Sequence, residues 1–233
     1  MIFGTRARRV SSPAELQLAP LVLSLQIATL ATLVAAILGL AVATLLANVR
    51  FPGRELLDVL LTAPMVLPPT VLGYYLLVAV GHRSVVGRAF EAVFGSTLVF
   101  SRTGAVLAAT VGALPLVVKS GRAALEGVDA TLVQAARTLG ATPVRAFFTV
   151  HLPLAGRGVV AALMLAFARS LGDFGVTLMV AGDIPGKTQT ASLAIFDDLL
   201  AQRTGVMALV LAATAVAILY TVNKLTAGPR DAR

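Results

Sequence analysis

The sequence predicts an all-α fold, a polytopic bundle of membrane-spanning helices, and three observations carry that prediction. Of its 233 residues, 58% are hydrophobic and 13% charged, against about 25% charged in a soluble domain. The mean hydropathy is +0.90, which places the chain in lipid rather than water. The apolar residues gather into runs of roughly 20, the length that crosses the hydrocarbon core, and charged or turn-forming residues separate the runs.

Residues 1–233 read as one transmembrane domain with about five spans. The first, residues 18–47, carries no charge. It is too long for a signal-peptide core and too short for two crossings, so one long tilted helix is expected. The second, residues 56–80, contains Pro64, Pro68 and Pro69, and the third covers residues 98–118. The fourth, residues 153–181, is interrupted by Arg169, Gly172, Asp173 and Gly175. The fifth covers residues 205–222. Each is apolar all round, as lipid-embedded helices are.

The polar interval 119–152 has its own helical grammar. Leu132, Ala136 and Leu139 recur at helical spacing on one face. Asp129 or Thr131 can cap the start, and Thr131 with Gln134 fits a capping box. Gly140 suits the left-handed residue that ends a helix. Thr142-Pro143 restarts one, with proline where its missing N–H costs nothing. A short helix, a tight turn and a second short helix are therefore expected.

Lys119, Arg122, Arg137, Arg145 and Arg157 crowd this interval, which places it in the cytoplasm. Arg50, Arg54, Lys224, Arg230 and Arg233 then also fall inside, and five spans leave the N-terminus outside. Arg6, Arg8 and Arg9 oppose that orientation. The central interval outweighs them because its boundaries are the clearest.

Several function classes drop out. There is no cysteine, hence no thiol catalysis and no cysteine-held metal. His82 and His151 have no partner at metal-ligand spacing, and no cofactor is expected. The net charge of +8 suits anionic lipid headgroups. The stretch from Ala135 to Gly140 resembles half of a DNA-binding helix-turn-helix, but Ala146 to Val150 is too apolar to read bases, so no nucleic acid is expected. Gly182 to Thr188 resembles a P-loop with one residue too few between its glycines and no preceding strand. ATP binding by this chain is rejected.

Gln134-Ala135-Ala136, then Gly140, then Val150-His151-Leu152-Pro153 resembles the E-A-A, G, I-x-L-P signature of ABC importer permeases, with Gln for Glu and Val for Ile. Phe51-Pro52-Gly53, VLPPTVLGYYLL, QAARTLGA, LAFARSLGDFG and Asp183-Ile184-Pro185-Gly186 are similar to molybdate permeases in particular. Sulfate and thiosulfate permeases share much of this sequence. The resemblance implies a multi-pass permease of the bacterial inner membrane. It also implies a coupling helix at Gln134, Ala135, Ala136, Gly140, Leu152 and Pro153 that docks on an ATPase. The implied partners are a second copy of the chain, two ATP-binding subunits and a periplasmic or surface oxyanion-binding protein. The cargo would be an oxyanion, with molybdate ahead of tungstate and sulfate.

Two intramembrane features stand apart from that signature. Arg169 and Asp173 are four residues apart, so they can pair on a helix, and intramembrane charge is usually functional. Either Arg169 lies near the anion path or gate, or the two merely neutralise each other. Pro64, Pro68 and Pro69 either bend a path-lining segment or make a packing kink. A membrane enzyme would need a fuller constellation of reactive groups. A secondary transporter would show repeats or several buried carboxylates.

Overall fold

The computed structural model describes residues 13–202 and 205–226, so Arg6, Arg8, Arg9, Arg230 and Arg233 lie outside the described residues. All regular structure among the described residues is helical. Helix α1, Pro13–Asn48, has 36 residues and is about 54 Å long at 1.5 Å per residue. Its excess over the roughly 30 Å hydrocarbon core fits a tilted or protruding span.

The second expected span is two helices, α2, Arg54–Val66, and α3, Pro69–Val80, bent by 116°. The cause is local. Pro68 and Pro69 each bar the preceding residue from helical geometry. Leu67 (φ −68°, ψ 137°) and Pro68 (φ −54°, ψ 137°) are accordingly extended. Helix α4, Val85–Phe94, follows, capped by the Ser84 hydroxyl accepting from Gly87 N–H.

Helix α5, Arg102–Glu126, begins at the Ser101 cap and runs well past the expected end at residue 118. Its polar last turns are held by ion pairs to α2. Lys119 Nζ lies 2.7 Å from Asp58 Oδ2, and Glu126 takes Arg122 at 2.8 Å and Arg54 at 3.4 Å. Helices α6, Ala130–Thr138, and α7, Pro143–Ala146, lead through a π-helical turn, Phe147–His151, into α8, Leu152–Leu171. The fourth expected span breaks at residues 172–174 and resumes as α9, Gly175–Ala181. Helices α10, Ala191–Leu200, and α11, Val206–Thr226, complete the described chain.

Among the described residues, three helical stretches are long and apolar enough to cross a membrane, Leu18–Asn48, Arg102–Glu126 and Pro143–Leu171. The bent α2–α3 pair brings the number to four if it is one span, and α11 holds a shorter apolar stretch, Val206–Thr221.

Helices α1, α5 and α8 form the core. Leu23, Ile27 and Ala31 meet Ala105 and Ala109; Ala35 meets Ala113, Val117 and Ala166; Ala43 meets Leu125, Ala155 and Val159. The numbering rises together in α1 and α5 and falls in α8, so α1 and α5 are parallel and α8 antiparallel. Small residues let these backbones approach closely, the usual solution where lipid offers no hydrophobic drive. A Cβ on Gly39 would sit 2.8 Å from Val117 Cγ1, and one on Gly158 2.5 Å from Ala124 Cβ. At one end of this core lie Arg50, Arg54 and α6. At the other, Leu21 packs on Ala191 and Met207, and Ser24 Oγ accepts from Ala191 N–H at 2.7 Å.

Candidate functional site

Two places gather the residues singled out from the sequence. The first is α6 and its flanks. Asp129, rather than Thr131, caps the helix, its Oδ1 accepting from Thr131 N–H at 2.9 Å. That backbone bond, with the Thr131 hydroxyl, holds the exposed Asp129 carboxyl below its ordinary value of 3.8. Gly140 ends the helical stretch at φ +89° with open space where a Cβ would stand. Thr142 caps α7, and Pro143 takes its first turn.

No residue of α6 is buried. Gln134 and Ala135 are exposed, Ala136 is half-buried, and Leu132 and Leu139 expose 49% and 88% of their surface. An apolar helix edge outside the core needs cover from something else. Leu152 and Pro153 open α8, half-buried and exposed respectively. They stand beyond α7 and the π-turn, so the two halves of the motif flank one loop rather than share one helix.

The second place lies near the middle of α5. Arg169 Nη1 donates to Asp173 Oδ1 at 2.9 Å, and Asp173 Oδ2 accepts from Thr177 N–H at 2.9 Å and from the Thr177 hydroxyl at 2.6 Å. Asp173 thus binds both sides of the helix break and supplies a capping oxygen to α9. The pair rests over Gly112, an ideal Cβ of which would stand in ordinary contact with the Arg169 guanidinium at 3.5 Å. The Asp173 side chain is 2% exposed and that of Arg169 34%. The carboxylate is therefore fixed by three bonds, one of them from the guanidinium, which keeps a third of its side chain exposed.

The proline bend abuts this site. An ideal Cβ on Gly175 would lie 2.8 Å from Pro69 Cβ, so the α2–α3 bend packs directly on the α8–α9 break. Pro64 is half-buried, while Pro68 and Pro69 are exposed. Thr177 and Gly112 are not marked by the sequence, whereas Gly175 is marked there only as one interruption of the fourth apolar run. Thr177 lies four residues after Asp173, one beyond the reach of an ordinary N-cap side chain, so its bond depends on the geometry of the break. For Gly112 the sequence holds no signal without the fold.

The segment resembling a P-loop is a tight turn at the end of the core opposite α6. Thr188 Oγ1 donates to Gly182 O and accepts from Ile184 N–H, both at 3.1 Å, and Arg102 braces it through the Lys187 carbonyl. Among the described residues no cluster could hold a metal ion. His82 pairs with Glu91 at 2.8 Å, and His151 contacts the Leu125 carbonyl at 2.9 Å.

A family model described as a binding-protein-dependent transport system inner membrane component matches residues 17–225. The molybdenum transport system permease protein ModB of Escherichia coli (strain K12) is 50% identical over 174 residues, covering 75% of this chain and 76% of that protein. ModB of Azotobacter vinelandii is 39% identical over 184 residues, 79% of this chain and 81% of that one. The sulfate transport system permease protein CysT of Salmonella typhimurium is 34% identical over 192 residues, 81% of this chain and 69% of that one. Among solved structures, an inward-facing MetNI methionine ABC transporter chain aligns at a TM-score of 0.69 and 20% identity, covering 93% of this chain and 95% of that chain. The last likeness speaks to the fold alone.

Proposed function

The chain belongs to the binding-protein-dependent transport system inner membrane component family, and from that membership we propose that it is the permease subunit of an ATP-driven molybdate importer. The observation that carries the proposal is α6. A well-capped helix with an exposed apolar edge, bearing Gln134 to Gly140, stands outside the core between two long apolar helices. The 50% identity to a molybdenum permease supports the cargo. CysT, at 34%, supports sulfate less well.

In this scheme α6 and the basic end of the core face the cytoplasm, where α6 docks on an ATPase subunit that alone hydrolyses ATP. The start of α1 then faces outward. Two copies of the chain meet about a two-fold axis with the anion path between them, and a binding protein delivers cargo and supplies most of the affinity. Closing of the ATPases displaces the paired α6 helices and rocks the spans between outward-open and inward-open states. Arg169 is the group for the passing anion. A guanidinium matches a tetrahedral oxyanion through paired N–H donors, and Asp173 neutralises it when the path is empty.

The decisive experiment reconstitutes the chain with its ATPase and binding protein in vesicles and follows labelled molybdate. ATP-dependent uptake that excess sulfate fails to displace supports molybdate; preferential sulfate uptake replaces it. Gly140→Val tests the docking helix, since a branched residue at φ +89° is strained by about 1–2 kcal/mol while nothing crowds its side chain. Uptake should fall with membrane levels unchanged. Normal uptake in that variant removes the docking role.

A further inference from the structure

The loop that carries α6 leaves the core at the last turn of α5 and returns at the π-helical turn, Phe147–His151. Across its neck stands one side-chain bond. His151, 26 residues beyond Leu125, sets Nε2 2.9 Å from the Leu125 carbonyl oxygen in a buried setting. The carbonyl only accepts, so Nε2 carries the proton and donates. Around it the neck is made by apolar contact, with the Phe147 ring edge-on to the imidazole at 5.7 Å and Phe147 and Leu152 packed on the Leu125 cluster. A π-turn widens the helix by one residue, is rare, and concentrates at functional sites. It lies immediately before α8, with His151 as its last residue.

Apolar contacts resist separation of two helices but are non-directional and let them slide. A buried hydrogen bond to a main-chain carbonyl fixes both distance and angle. Building on the importer function proposed above, we infer that His151 is a positioning residue for energy coupling. Its Nε2–H bond to Leu125 O locks the neck of the docking loop, so that displacement of α6 moves α5 and α8 together instead of flexing the loop alone.

The test uses the reconstituted complex with its ATPase and binding protein, and reads molybdate imported per ATP hydrolysed. His151→Phe keeps a buried ring and removes the donor; His151→Gln restores an N–H. The phenylalanine variant should assemble and hydrolyse ATP while its import per ATP falls at least fivefold. The glutamine variant should stay within twofold of the parent. An undiminished ratio in His151→Phe overturns the inference, as does a glutamine variant as uncoupled as the phenylalanine one. Should His151→Phe not assemble, His151→Met, flexible and without a donor, is read by the same ratio. Loss of ATP-linked molybdate uptake in the parent complex would instead overturn the importer function, so the two failures are distinct.

Discussion

Separating the Arg169–Asp173 pair should cost unequal amounts depending on which partner is removed, because the cost is set by the charge left behind. Removing one partner of a buried ion pair costs about 3–5 kcal/mol. Arg169→Gln strands the Asp173 carboxylate, whose side chain is 2% exposed. It keeps its two Thr177 bonds, so a loss near the low end, about 3 kcal/mol, is expected. Asp173→Asn strands a guanidinium that is 34% exposed and free to reach polar groups, which reduces the loss to about 2 kcal/mol. Asparagine still caps α9. The double variant strands no charge and should lose only about 1–2 kcal/mol of charge-assisted bonding. The singles sum to about 5 kcal/mol, so the coupling is roughly 3 kcal/mol. Detergent titration of the reconstituted protein reads stability, and labelled molybdate uptake reads transport. The double variant should fold well and transport at least tenfold more slowly, because the cation is gone. Additivity within about 0.5 kcal/mol would refute the pair as an energetic unit, and full transport by the double variant would take Arg169 out of the anion path.

Reporter fusions at Arg9 and Arg230 should report outside and cytoplasm respectively; two cytoplasmic signals would refute the orientation. Gly39→Ala should lower the thermal midpoint in lipid nanodiscs, since its Cβ would meet Val117 Cγ1 at 2.8 Å and overpacking costs about 1–3 kcal/mol; an unchanged midpoint would show that α1 can shift. Burial first, then the Asp197 charge, pushes the Asp183 carboxyl above its ordinary 3.8. A raised carboxyl contributes stability that is complete below the ordinary value and lost as pH rises through the raised one. Asp183→Asn should therefore stabilise the protein at neutral pH and lose that advantage as the medium is acidified toward 3.8. A gain independent of pH would exclude the carboxyl charge as its cause.

Where the determinant was local, the sequence sufficed. The uncharged run of α1, the Gly140 stop and the Thr142-Pro143 restart are set by neighbouring residues, and the structure places α1, α6 and α7 accordingly. Helix α4 does not stand out as an apolar run because Arg88 and Glu91 interrupt its hydropathy, although Ser84 and Gly95 cap it by ordinary rules. Helix α5 continues past the end of the apolar run at residue 118 because the polar Lys119 and Arg122 find their partner in Asp58, 61 and 64 residues away. The prolines announced a bend in the second apolar segment, but not its 116° angle. Nothing in the local sequence told that Pro69 would rest against Gly175 and bring two helix interruptions together.

The missing side chains of Gly39 and Gly158 have a mechanical meaning. With backbones seated this closely on Val117 and Ala124, α1, α5 and α8 are geared teeth rather than greased rods, and none can slip without unmeshing from the others. A transport stroke must turn the three as one block, leaving the bending to the extended residues 67–68 and the break at 172–174. Those two knees touch each other, and Asp173 sits in one of them with Arg169 in its grip. In the importer function proposed above, a stroke that flexes either knee would also loosen the hold of Asp173 on Arg169, so that opening the path and presenting the cation to the cargo would be one event.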